Sequence, residues 1–164
     1  MNWYLSHRAD PRAVRIADRH YNRQKIGSPQ FVPPGRCLVL LSNNADALWV
    51  SSWPFAEYVK HAWAGAWVCS CFRNESRMLS SELITEAVQA TLWAWKTPPP
   101  LGMITFVDAT KIKSSNPGFC YKRAGFIHVG YTKGGLHTFQ LLPDAMPEPA
   151  MPYGAQLSFM EVSA

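Results

Sequence analysis

The apolar positions of this chain repeat with two different periods. Residues 2–5 read as a short first strand. Asp10-Pro11 then has the form of a helix start, with an acceptor at the N-cap and proline at the first helical position. From there Val14, Ala17 and Tyr21 fall on one face, with Ala13 and His20 beside it, and the spacing predicts a helix to about Asn22. The Pro/Gly-rich stretch 24–36 supports neither a helix nor a strand. Continuous apolar runs predict buried strands at 37–41, 47–52, 64–72 and 103–107. Residues 55–61 suggest a short helical excursion. A second strong helix is predicted over 80–96, with Ser80 or Ser81 as its cap, a stripe of Ile84, Val88, Leu92 and Trp95, and Pro98-Pro99-Pro100 as its stop. Residues 117–124 suggest a short helix ended by Gly125. Strands at 126–131 and 136–142 follow, joined by the turn residues Lys133-Gly134-Gly135.

This alternation of strands and helices predicts an α/β (α+β) fold, a mixed sheet of about seven strands with helices on both faces. The strands and helices occupy residues 1–142, one domain by length. Prolines at 143, 147, 149 and 152 predict an extended C-terminal tail, 143–164, packed on the domain. The chain of 164 residues is 48% hydrophobic, which excludes a disordered polymer. No run approaches the ~20 apolar residues of a membrane span. The first eight residues lack a signal-peptide layout, so a cytoplasmic protein is expected, with Cys37, Cys69, Cys71 and Cys120 as reduced thiols.

Charge changes the picture. Only 16% of residues are charged, yet the net charge is +5. Residues 1–36 contain seven Lys and Arg against two Asp, a surplus that accounts for all of it. Arg8, Arg12, Arg15, Arg19 and Arg23 recur at helical spacing as a stripe. Such a stripe is either a solvated helix face or a surface for DNA phosphates, with Arg12, Arg15, Arg19, Arg23 and Lys25 as the DNA-binding set. Of the seven tryptophans, most lie in predicted elements and read as core. Trp53 or Trp63, at strand ends, is placed to stack on a base.

Three stretches carry candidate chemistry. His20-Tyr21, flanked by arginines, can move a proton near an anionic substrate, or simply cap and pack the helix end. Arg73-Asn74, followed by Ser80 and Ser81 at a strand-to-helix junction, has the groups for a phosphate site. It has no glycine there to let backbone amides close on a pyrophosphate. Asp108 ends a buried strand, where α/β sheets place ligands. A carboxylate there with little solvent is expected to have a raised pKa and to act as a base. Tyr121, in Gly118-Phe119-Cys120-Tyr121-Lys122-Arg123-Ala124-Gly125-Phe126, reads as core packing, unless the similarity of its Tyr-x-x-x-Gly-Phe run to the GNAT acyltransferase pattern, which implies a proton donor, holds.

The element order resembles the GNAT acyltransferase superfamily over roughly residues 1–142. Within that superfamily the chain resembles the Mom-type phage DNA-modification proteins. The resemblance rests on His20-Tyr21-Asn22, on Arg73-Asn74 with Ser80-Ser81, on Thr105-Phe106-Val107-Asp108, and on Gly118 through Phe126. Asn22 stands where the family has serine, and the tyrosine-to-aromatic spacing differs by one or two residues. The resemblance implies a phage- or mobile-element-encoded enzyme that carbamoylmethylates the exocyclic amine of adenine in DNA and so protects that DNA from restriction. It implies His20, Tyr21, Asp108 and Tyr121 as catalytic residues. It also implies Arg73, Asn74, Ser80 and Ser81 as the grip on the phosphates of an acyl donor, acetyl-CoA or another, with the basic helix on DNA. Iron has been suspected in the family. One histidine and two oxygen donors (His20, Tyr21, Asp108) make a poor set for it, so iron stays open and no metal site is assigned. Two other functions remain open: a GNAT N-acetyltransferase for a small amine or peptide, and a non-catalytic nucleic-acid-binding module.

Overall fold

The computed structural model describes residues 1–21, 23, 26–28, 31–55, 57, 59–112 and 115–155. A seven-stranded mixed sheet forms its centre. The strands are β1 (Trp3–Leu5), β2 (Arg36–Ser42), β3 (Ala47–Trp53), β4 (Trp67–Asn74), β5 (Met103–Val107), β6 (Ile127–Tyr131) and β7 (His137–Leu141). Their spatial order is β1-β2-β3-β4-β5-β7-β6. Every neighbouring pair is antiparallel except β4 and β5, which are central and parallel. This mixed α/β arrangement is compatible with a GNAT-like fold.

Helices cover both faces. On one, α1 (Pro11–Ala17) buries Ala13, Ile16 and Ala17 against Val39, Leu41, Leu48, Val50 and Cys71. On the other, α2 (Ser80–Trp95) and α3 (Phe119–Arg123) close over the larger core, in which Trp3, Trp49, Trp67 and Phe139 are completely buried. Most polar atoms inside this core are paired, as burial demands, with Trp67 Nε1 an exception among the described residues. Trp3 Nε1 donates to Leu83 O at 2.8 Å. Trp49 Nε1 donates to Ser51 Oγ, which meets Thr91 Oγ1 at 2.7 Å, and so ties β3 to α2.

The first helix is shorter than its spacing predicts. It ends at Ala17, although Asp10 caps Arg12 N as expected. The Asp18 carboxylate is taken up by Arg23 Nε at 2.8 Å and by Gly27 N at 3.0 Å, which turns the chain. Arg19 and Arg23 therefore lie off the helix, and the arginines do not form one continuous stripe. β4 starts at Trp67 and runs to Asn74, later at both ends than predicted. The expected helix over 55–61 includes Ala56 and Tyr58, which lie outside the described residues. Among the described residues no helix is long and apolar enough to cross a membrane. The segment 143–155 runs along the domain, with Ala150 N donating to Gln89 O and Leu5 N to Tyr153 O. Residues 156–164 of the predicted tail lie outside the described residues.

Candidate active site

The parallel ladder between β4 and β5 is three pairs long and ends at Cys69 and Thr105. β4 continues for five residues beyond that point, and the two strands splay. A bulge explains the divergence. Val50 pairs with Cys71 while Ser51 pairs with Cys69, so Ser70 is an extra residue in β4. Bulges bend a strand and release backbone groups from the ladder. The Ser70 hydroxyl turns toward β3, 2.9 Å from Ser52 Oγ. Sequence reasoning passed over Ser70; its one signal was a polar residue inside the apolar run 66–72.

The wedge between the splayed strands holds a cleft of about 340 Å³. His20 and Tyr21 line it from the α1 side, Cys69–Phe72 and Thr105–Val107 form its walls, and Asn116 and Gly118–Tyr121 close it. Three of the four predicted catalytic residues, His20, Tyr21 and Tyr121, are thus brought together from two segments.

Tyr121 forms the floor. Its ring is 9% exposed, stacked on Phe139 and edge-on to Phe72 and Phe126. Its hydroxyl is 3.8 Å from Cys69 Sγ. Burial, reinforced by the neighbouring Cys69 and Cys120 thiols, pushes the phenol well above its ordinary pKa of 10.0. It therefore keeps its proton at neutral pH. Gly118 makes this floor possible. It adopts φ +76°, and a Cβ there would lie 2.2 Å from the Phe139 ring.

His20 and Tyr21 form the rim, their rings stacked 4.5 Å apart. Tyr21 is 39% exposed, and its oxygen accepts a long bond, 3.4 Å, from Asp108 N. Partial burial raises the Tyr21 pKa.

Asp108 departs from expectation. It lies across Tyr21 from the cleft, where it lines a neighbouring cavity. Its carboxylate caps a short 3-10 turn, accepting from Thr110 Oγ1 at 2.6 Å and Thr110 N at 3.0 Å. The Thr110 hydroxyl bond leads the effects that hold its pKa below the usual carboxylate value, so the expected raised pKa is overturned. Asp108 is an ionised turn cap rather than a poised base.

The predicted phosphate grip is outside the cleft lining and partnered within its own loop. Arg73 Nε donates to Glu75 at 2.6 Å, and Arg19 donates to the same carboxylate through two nitrogens at 2.7 Å. These arginines, Arg19 foremost, pull the Glu75 pKa down to about 2. Asn74 organises the loop: its amide donates to Met78 O and Ser80 Oγ, and its carbonyl oxygen accepts from Ser76. Ser81 lies at a separate shallow surface beside Glu82 and Arg123. The α2 N-cap is Leu79, with no side-chain cap, rather than Ser80 or Ser81.

The predicted DNA-binding arginines are also largely engaged. Arg12 pairs with Asp10 at 3.1 Å, Arg19 with Glu75, and Arg23 with Asp18. Arg15 is exposed, and Lys25 lies outside the described residues. Trp53 packs edge-on to Trp67 and donates to Gly65 O, whereas Trp63 stays half-buried beside Phe106.

Iron does not fit these residues. The Asp108 carboxylate is occupied by Thr110 and separated from the cleft by Tyr21, and among the described residues no three His, Cys, Asp or Glu side chains converge. Cys69 and Cys71 are buried; burial pushes Cys71 up to about 12 and Cys69 higher still, so both remain inert thiols.

No protein-family model, curated protein or solved structure matches this chain.

Proposed function

We propose that the protein is a group-transfer enzyme of GNAT type, and that its acceptor is the exocyclic amine of adenine in DNA, as the Mom-type resemblance implies. The observation that carries this reading is Tyr121: a phenol fixed in the core, kept protonated by burial, and facing a cleft where the two central parallel strands part. Ligands of α/β sheets favour such positions.

The chemistry follows from the geometry. The amine nitrogen bonds to the electrophilic carbon of the donor, and the bond from that carbon to its leaving group breaks. The leaving group departs with the electron pair and takes the Tyr121 proton. His20, at the rim, accepts the proton that the amine sheds and passes it to solvent, which returns a proton to Tyr121. At about 340 Å³ the cleft is near the lower end of small-molecule sites. It has room for the reacting ends of a base and a short acyl arm, and the rest of the donor extends outside it. An amine paired in a duplex cannot reach it, so the target base enters unpaired. The stacked His20 and Tyr21 rings offer a flat apolar plate beside the entrance.

Mass spectrometry of nucleosides from DNA of cells expressing the protein tests this reading. A modified deoxyadenosine that disappears with Tyr121→Phe is the expected result. Unmodified DNA together with tight acetyl-CoA binding by calorimetry would overturn it in favour of a small-amine acetyltransferase.

A further inference from the structure

On the sheet face that carries α1, the helix covers β2, β3 and β4. Beyond it, Trp63 and Phe106 pack against the buried Ala66, Val68 and Ile104. Two cavities lie there. One, about 370 Å³, starts at Tyr21 and Asp108 and runs over Ser70, Phe106 and Lys111 to Leu136. The other, about 650 Å³, lies between Lys60–Trp63 and the β6–β7 turn at Tyr131–Gly134. They meet at Phe106. Its ring lines the first cavity and lies 5.1 Å from the His61 ring and 6.3 Å from the Trp63 ring, both walls of the second. They also flank the same hairpin turn, whose Thr132 and Leu136 bond to each other. In succession they make a groove, interrupted at Phe106, that begins at the rim of the candidate active site.

Its chemistry is that of a single-strand track. Lys60, Lys111 and Lys133 are exposed along it. Among the described residues the larger cavity has no carboxylate in its lining, and the smaller has Asp108 alone, which is turned onto Thr110. Between the lysines stand the half-buried rings of Trp63 and Phe106. His61 Nδ1 accepts from Trp63 N at 3.0 Å, and burial lowers the His61 pKa, so its ring is neutral at pH 7 and fixes the indole loop. Lysines that alternate with aromatic plates bind phosphates and bases together, with little preference among bases.

We propose that this groove binds the single-stranded nucleotides flanking the target base, with phosphates on Lys60, Lys111 and Lys133 and a base stacked on Trp63. The proposal rests on DNA as the acceptor. It moves the nucleic-acid interface away from the N-terminal arginines, most of which are paired with carboxylates, to lysines that form no ion pair among the described residues.

The test is fluorescence anisotropy with a short labelled oligothymidine, a probe that has no adenine to modify. The wild-type chain should bind, with affinity falling as salt rises. Trp63→Ala should weaken binding about 5- to 100-fold, and Trp63→Phe should restore most of it. Replacing Lys60 and Lys133 by Ala should lower the slope of log affinity against log salt by about 0.7 per lysine. Melting temperatures control for folding, and the two exposed lysines are surface sites whose loss should leave folding intact. Absent binding by wild type, unchanged affinity and slope in these variants, or loss confined to Arg12, Arg15 and Arg19 variants would each overturn the groove. Equal binding of polyglutamate would overturn it too, assigning the groove to acidic polypeptide. Modified adenine that persists at wild-type levels in groove variants would leave the enzyme reading standing while removing the groove. Groove binding without any modified adenine would do the reverse.

Discussion

Tyr121 and Tyr21 line the same cleft under opposite conditions. Tyr121 is enclosed by Phe72, Phe126 and Phe139 on an element whose entry glycine is pressed against the core. Tyr21 follows a helix that has already ended, rests on the His20 ring, and is held by one long bond from a backbone amide. The floor thus presents a single proton in a fixed place, and the rim presents flat surface. A catalytic proton donor gains from being preorganised by its surroundings, whereas a plate that receives a planar substrate does not need that rigidity. The two tyrosines should therefore respond very differently to the same change.

The largest expected effect is on the reaction. Tyr121→Phe keeps the ring and deletes the proton, so adenine modification should fall about 10²- to 10⁴-fold with little change in melting temperature. Tyr21→Phe deletes an acceptor at 3.4 Å, which is a weak contact, and should cost less than about tenfold. Rates of modified deoxyadenosine formation, measured side by side, decide the matter. If Tyr21→Phe is the more damaging, the proton donor sits at the rim and the assignment is inverted.

The next effect is on folding. Gly118→Ala forces a side chain into a left-handed backbone and drives Cβ into the buried Phe139 ring. Strain and overpacking together should cost about 2–5 kcal/mol. Gly27, near the rim, also has a positive φ but nothing within 4 Å of an added Cβ. Gly27→Ala should cost only about 1 kcal/mol, the left-handed conformation alone. Urea denaturation of the pair measures the difference, and equal losses would show that the floor is not tightly packed.

The same contrast separates what was legible in the sequence from what was not. The strands and α2 were readable because their apolar periods are long and bounded by turn residues or prolines. The short helix was readable because Gly125 ends it, but Tyr121 stood out within it only through the resemblance carried by Gly118 through Phe126. The end of α1 was not readable, because Asp18 is recruited by Arg23 and Gly27, a tertiary arrangement with no local period. Nor could the sequence show that the arginines would find carboxylates, since Glu75 meets Arg19 across 56 positions. Asp108 was rightly placed at a strand end, but Thr110, two residues on, claims its carboxylate. The groove was hidden because Trp63, Phe106 and Lys133 become neighbours only once β7 inserts between β5 and β6.

A smaller effect tests the arginine side of the rim. The Glu75 pKa falls from 4.5 to about 2 on folding, chiefly through Arg19. The folded carboxylate therefore binds fewer protons than the unfolded one, and its contribution to stability is complete above pH 4.5 and lost as pH falls toward 2. Because the pair is partly exposed, that contribution should be about 1 kcal/mol or less. Melting temperatures of wild type and Glu75→Gln should differ at pH 7 and converge near pH 2. A constant gap would mean that Glu75 acts through packing and not through charge.

Asp108 gives the smallest effect and the sharpest check on the rim. Asparagine retains a side-chain oxygen that can accept from Thr110 N and Oγ1, and it is as good a cap as aspartate, so Asp108→Asn should leave stability within about 0.5 kcal/mol of wild type. Asp108→Ala removes the cap and should cost about 1 kcal/mol. The pH profile of modification separates this role from general-base catalysis. The Asp108 pKa lies below its ordinary value of 3.8, so the group is already ionised across the neutral range and contributes no acidic limb there. The rate against pH should therefore keep the same shape in Asp108→Asn as in wild type. Disappearance of an acidic limb in the variant would restore Asp108 as the base and would require its carboxylate to leave Thr110 and turn into the cleft.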